Sequence, residues 1–507
     1  MKAKLLFLLS AATLFMLFTA CEDKDSDLEK QQANNEYVNK WIYDNMDFYY
    51  YWRDKMPSYA SLDKKQSPKN FFEKLKFAYN TSTYDGDRFS WIQESYVDLL
   101  NSLSGVSSKE IGFEYLPYMR AETGSEVEFV VVYIKKGTKA ESSGLKRGDI
   151  IWKVDGVDLT EYNWSAALYQ NKSSYKLEGP NFNGVITVEP TGTYAENPIY
   201  LDRTYNIAGY GTPVGYIVYN QFTMDNGDGS YTYDKQINSI FSRFESEGVK
   251  DVVLDLRYNG GGYVSCVVNI GSALVPNRNT SNVFFYKDYN SVFDAYAKEE
   301  LGNDYDSFVN DYFKDNIEVT NSRGNVVISD RIPNFGDKIN KLYILVGANS
   351  ASASELIING LIPYMGDKMV LIGATTYGKN VGSITRYKEN DSRNKWGIQP
   401  IVSRSYNSND ESEYGGGFTP GVQVQGAIVN EFTGIMENGL KSLGDENETL
   451  LAYALSMITG GPKSATLKSA TTLSPARQIG SSFGLKPGAY DMVINDNKTR
   501  KLIDSQF

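Results

Sequence analysis

The chain has 507 residues, enough for roughly three domains at ~150 residues each, and carries 62 acidic against 51 basic side chains for a formal net charge of −11. That balance, with no Lys/Arg-rich block, argues against nucleic acid as a partner, because counterion release needs clustered positive charge; 41% hydrophobic and 13% aromatic residues exclude a disordered chain. His is absent and Cys occurs only at positions 21 and 266, which excludes a Ser-His-Asp triad, a Cys-His pair, a His-ligated metal and a disulfide framework, so the general base of any hydrolase here must be Lys, Asp, Glu or Tyr.

Residues 1–21 read as an export signal. Lys2 and Lys4 precede the apolar run from Leu5 to Leu17, and Phe18-Thr19-Ala20 leads into Cys21. The run is shorter than the ~20 residues a spanning helix needs. The pattern resembles a bacterial lipoprotein signal, which implies lipidation of Cys21 and a lipid-anchored place in the bacterial cell envelope, on the periplasmic side or the cell surface. Ordinary secretion is the alternative. The polar stretch 22–35 reads as a flexible tether.

Residues 36–105 read as a helical domain: Tyr37, Trp41, Ile42 and Met46 recur at helical spacing, and Ser67-Pro68 opens a helix carrying Phe71, Phe72 and Leu75. Residues 106–200 turn β-rich. There Gly148-Asp149 makes a turn, Ile150–Val154 a short strand, and Asp155-Gly156 turns again. The run Gly144-Leu145-Lys146-Arg147-Gly148-Asp149 resembles a PDZ domain, which puts Ile111, Gly112 and Phe113 where such domains hold a peptide's terminal carboxylate on backbone N–H groups. A β-turn with no ligand, or a domain that serves only as a gate, are the alternatives.

Residues 203–462 alternate strands (215–222, 252–256, 342–346, 370–372) with helices such as 235–246, an α/β layering. The aromatic and acidic stretch 277–340 interrupts the alternation and reads as an insertion. Residues 463–507 read as a linker and a small appended segment.

Three segments carry chemistry. Asn349-Ser350-Ala351-Ser352-Ala353-Ser354-Glu355 follows a strand and opens a helix, where unpaired N–H groups face a developing oxyanion; Ser352 or Ser354 as a plain helix cap is the bland alternative. Tyr377-Gly378-Lys379 follows a buried strand, and a desolvated Lys is a usable base near neutral pH; a solvated turn Lys is the alternative. Asp255-Leu256-Arg257-Tyr258-Asn259 runs into Gly260-Gly261-Gly262, where backbone N–H groups approach a ligand unobstructed.

Together and in this order, these segments and the PDZ-like run resemble the carboxyl-terminal processing (tail-specific) protease family of serine–lysine peptidases. The resemblance implies a multidomain α/β (α+β) chain: an N-terminal helical segment, a PDZ-like β-rich domain and a layered ClpP/crotonase-like protease core. It implies Ser352 as nucleophile, Lys379 as base, and an oxyanion hole from the N–H groups of Ala353 and Gly261. No metal or cofactor is expected, and the partners are protein or peptide substrates with unstructured C-termini. Ser352 and Lys379 stand 27 residues apart, slightly more than is usual in the family. The family's Gln four residues after the Lys is here Ser383, the candidate third member. A catalytically weak relative that binds peptides at the envelope is the alternative function.

Overall fold

The computed structural model describes residues 27–103, 105–121, 123–320, 326–432, 439–461, 477–486 and 488–504. The chain divides into two compact units. Cys21 and the export signal lie outside the described residues.

One unit comprises 27–97, 290–293 and 385–402. A helix over 27–49 buries Val38, Trp41, Ile42, Met46 and Tyr49, a three-to-four residue recurrence that lines one face. This helix takes in residues 27–35, so that part of the expected tether is ordered by continuing the helix rather than free. Pro68–Leu75 follows, its cap Ser67 accepting the Asn70 N–H and burying Phe71, Phe72 and Leu75. The unit is not purely helical: Trp91–Gln93 pairs antiparallel with Gly397–Gln399, a partner some three hundred positions away.

In the other unit, Phe113–Met119 and Val127–Ile134 form a long antiparallel pair, extended by Ile150–Ile151 on one edge and Arg477–Gln478 on the other. One face carries Phe113, Tyr115, Phe129 and Val131, which share a core with Leu177 from another sheet. The other carries Leu116, Val130 and Val132, which share a core with Val218, Val253, Tyr258 and Leu345. Both strands are thus buried on both faces, with Glu114 and Glu128 also inside.

The layered part runs β1 (Ile199–Tyr205), β2 (Val214–Tyr219), α1 (Thr232–Ser246), β3 (Asp251–Asp255), β4 (Gly262–Tyr263), α2 (Val264–Leu274), β5 (Val283–Tyr289), β6 (Asn310–Tyr312), β7 (Lys341–Val346), α3 (Ala353–Met365), β8 (Met369–Gly373), β9 (Val381–Ser383), β10 (Ile401–Asn407), β11 (Gly426–Ile428), α4 (Thr449–Thr459) and β12 (Met492–Val493). A six-stranded sheet has the order β1-β2-β3-β7-β8-β11, parallel from β2 onward. A second six-stranded sheet has the order β4-β12-β9-β10-β5-β6.

Two expectations are corrected. The stretch 277–340 does not merely interrupt the core, since β5 and β6 complete the second sheet. Residues 463–507 are not merely appended either. The strand β12 lies between β4 and β9 and pairs parallel with both, and Met492 and Val493 are buried. The cause is the same in both cases: short strands gain stability from distant partners that leave no local periodicity.

Candidate active site

The continuous apolar strand β7 ends at Val346, and the chain turns through the Ser run into α3. Ser352 caps that helix with φ +61° and ψ −112°, a region that a residue with a Cβ holds only when its surroundings over-determine it. Glu355, three residues on, supplies part of that constraint. Its carboxylate accepts the Ser352 N–H at 2.9 Å. The side chain of Ser352 is fully buried, and its Oγ has no hydrogen-bond partner among the described residues. Ser354 instead donates its hydroxyl to the Asn259 carbonyl at 2.9 Å, pinning the helix start to the glycine-bearing loop. Ala353 is the first residue of α3, so its N–H is one of those a helix leaves without an internal partner.

Lys379 follows β8 and is fully buried. Its main-chain N–H and that of Gly378 donate to Glu355, each at 2.7 Å, and the Thr376 hydroxyl donates to the same carboxylate at 2.5 Å. One carboxylate therefore holds the backbones that carry Ser352 and Lys379. Burial pushes the Glu355 carboxyl up, against the opposing pull of these four hydrogen bonds. The Lys379 Nζ donates to Asp491 Oδ1 at 3.1 Å, and both side chains are buried. The Ser383 hydroxyl, also buried, donates to the Met492 carbonyl at 3.1 Å.

Gly261, at φ +117°, lies against Ser352: a Cβ there would stand 2.7 Å from Ser352 Cβ and 2.9 Å from both Ser352 Oγ and the Asp491 carbonyl oxygen. Its N–H donates to Asn259 Oδ1 at 2.9 Å, while the N–H of Gly262 donates to the Asp491 carbonyl at 2.8 Å. Gly261 thus packs on Ser352, Glu355 joins the Ser352 and Lys379 backbones, and Asp491-Met492 links Lys379 with Ser383.

Ile111, Gly112 and Phe113 belong to a different network. The Gly112 N–H donates to Glu110 Oε1 at 3.1 Å, and Phe113 is buried. Lys135 Nζ contacts Glu110, Glu114 and Glu196 at 3.0–3.1 Å. The carboxylate that this loop holds is the chain's own Glu110.

Behind the glycine loop, Arg257 is buried against Asp255 (2.8 Å) and Glu448 (2.6 Å). Arg147 donates to the Tyr258 hydroxyl at 2.6 Å and to Glu431 at 2.5 Å, so the β-rich segment and the glycine loop share one ion network. Burial alone would raise the Glu448 carboxyl, but Arg257 and Arg147 hold it at about 2.

Sequence reading missed three parts of this site. Glu355 had a signal, because Ser followed three residues later by Glu is a capping-box pattern. Asp491 and the Arg257 network had none; Asp491 lies 112 positions from Lys379.

Residues 37–91 match the Peptidase S41 N-terminal domain, and residues 213–424 match Peptidase family S41. A protein of Staphylococcus haemolyticus (strain JCSC1435) described as a probable CtpA-like serine protease is 26% identical over 353 residues, covering 62% of this chain and 61% of that protein. The carboxy-terminal processing protease CtpA of Bacillus subtilis (strain 168) is 25% identical over 271 residues, covering 52% of this chain and 47% of that protein. The chain thus spans about half to three-fifths of these relatives' lengths. A crystal structure from Bacteroides fragilis NCTC 9343, assigned to the S41 proteases, superposes with a TM-score of 0.61 at 25% identity, covering 83% of this chain and 97% of that one.

Proposed function

This chain belongs to peptidase family S41, and from that membership we propose that it is a serine endopeptidase of the carboxyl-terminal processing type, hydrolysing peptide bonds in the C-terminal regions of unfolded protein substrates. The observation that carries the reading is the attachment of the Ser352 and Lys379 backbones to one buried carboxylate, Glu355, with Gly261 packed against Ser352.

In this scheme the neutral amine of Lys379 takes the hydroxyl proton as Ser352 Oγ bonds to the scissile carbonyl carbon. The carbonyl electron pair moves onto oxygen, where the N–H of Ala353 and one from the glycine run stabilise it. Collapse breaks the C–N bond, and the Lys379 ammonium returns its proton to the leaving amine. Water then adds to the acyl ester with Lys379 again as base, releasing the acid and restoring Ser352. Ser383, four residues after Lys379, is the candidate group to orient it. The β-rich segment 106–200, read as PDZ-like, would select or gate the substrate tail.

The first twenty-one residues support a lipid-anchored place in a bacterial envelope. Labelled fatty acid entering the protein, and not its Cys21→Ser variant, is the corresponding check.

The test of activity is cleavage of a reduced, alkylated protein with an apolar C-terminus, followed by mass spectrometry. Ser352→Ala and Lys379→Arg are expected to abolish product, because a guanidinium does not act as a base in proteins. Ser354→Ala, which removes a bond to the Asn259 carbonyl, is expected to keep it. Cleavage that survives Ser352→Ala would overturn the assignment.

A further inference from the structure

Ser352 and Lys379 are both fully buried, so no substrate atom reaches them in this form of the chain. The chain's own C-terminal segment lies against Lys379 and against the glycine loop that packs on Ser352. The Asp491 carbonyl accepts the Gly262 N–H at 2.8 Å, and the Asp491 carboxylate meets Lys379 Nζ at 3.1 Å. Tyr490 stacks on Tyr377 with ring centroids 4.2 Å apart and donates its hydroxyl to Asn349 Oδ1 at 3.1 Å. The carbonyl of Met492 accepts the Ser383 hydroxyl, and the Ile494 N–H donates to the Ser383 carbonyl at 3.0 Å.

The strand β12 is two residues long and lies between β4, which holds Gly262, and β9, which begins two residues after Lys379. Strands pair at roughly 4.8 Å, so removing β12 would open a slot about one strand wide, with N–H and C=O groups exposed along both walls. Such a slot takes an extended peptide by strand addition. Its present occupant runs Tyr490-Asp491-Met492-Val493-Ile494, apolar except for one carboxylate. A salt bridge is the geometry of an ammonium ion, whereas a general base must be the neutral amine; in this form Asp491 opposes that role. The same residue's carbonyl takes an N–H of the glycine run, as a substrate oxygen would.

We propose, resting on the peptidase reading above, that residues 488–494 lie in the substrate groove as a resident pseudo-substrate. An extended apolar polypeptide enters by displacing them and pairing with β4 and β9 in their place. The folded chain is thus latent, and opening is coupled to the arrival of an unfolded substrate.

Two measurements on the full chain test this. The first is reaction of Ser352 with a fluorophosphonate, followed by peptide mass mapping. Asp491→Asn keeps the shape and removes the charge, and Tyr490→Ala removes the stack on Tyr377; each is expected to label about 10-fold faster than the unsubstituted chain by raising the open population. Labelling no faster in both variants overturns the proposal, as does loss of labelling in a folded Asp491→Asn, which would make Asp491 part of the working site. The second is hydrogen exchange of the unsubstituted chain with and without the reduced, alkylated protein. Protection of 489–494 is expected to fall while β3 is unchanged. Substrate cleaved with 489–494 still protected overturns the proposal. Protection lost with no reaction at Ser352 in any variant supports the groove assignment and removes the peptidase reading instead.

Discussion

The carboxylate of Glu355 accepts the main-chain N–H of Lys379 at 2.7 Å while also accepting that of Ser352, three residues before it. The two segments continue from the paired strands β7 and β8, and beyond the strand ends this side chain joins the Tyr377 N–H to Ser350 carbonyl bond in holding their backbones together. Glu355→Gln replaces an acceptor by an NH2 group facing N–H donors. Displacements of about 1 Å in such sites cost roughly 10²-fold in rate. The expected outcome is a loss of that order in kcat with KM little changed, read by steady-state kinetics on an unfolded substrate.

Gly378 sits at φ +92°, and a Cβ there would stand 2.3 Å from the Gly415 carbonyl oxygen. The neighbour is backbone and has no rotamer by which to yield. Gly378→Ala is therefore expected to cost about 1–3 kcal/mol by overpacking and to shift Lys379 next to it. Stability to chemical denaturation and activity should fall together; an unchanged midpoint would contradict this close approach of Gly378 to the Gly415 carbonyl.

Arg257 lies buried between Asp255 and Glu448. Arg257→Met leaves those carboxylates buried without it, a change that costs about 3–5 kcal/mol in comparable ion networks. Glu448, held at about 2 in the folded chain, contributes stability that is present above its unfolded value near 4.5 and lost as pH falls toward 2. That acid-side loss should shrink in Arg257→Met, as measured by denaturation between pH 2 and 5.

Asp234 is buried on α1 beside Cys266 and Asn269, and burial raises its carboxyl to about 7. The folded chain then holds a proton that the unfolded chain has released above its usual value of 3.8. The contribution of this group to stability therefore declines as pH rises from about 4 to about 7 and stays low above that. Asp234→Asn is expected to raise Tm at pH 8 and leave it nearly unchanged at pH 3.5. An equal shift at both pH values would show that Asp234 does not titrate in this window.

The layered core was legible because its signals are local. Continuous apolar runs mark β3, β7 and β8, which are buried on both faces, and the apolar stretch after the Ser run marks α3. The relation of Ser352 to Glu355 was also within reach of local reading, since a capping box spans one helical turn.

The sequence by itself determined the chemistry available: no His, a Ser run at a helix start and a Lys after a buried strand. It also determined most of the parallel sheet. Only the tertiary structure decided that Asp491 meets Lys379, that β12 fills the slot between β4 and β9, and that Arg147 meets Tyr258. The physical reason is range. Periodicity and caps record a residue's burial and its near neighbours, whereas a two-residue strand or a buried ion pair is selected by distant groups that it satisfies, and those partners become neighbours only when the whole unit closes.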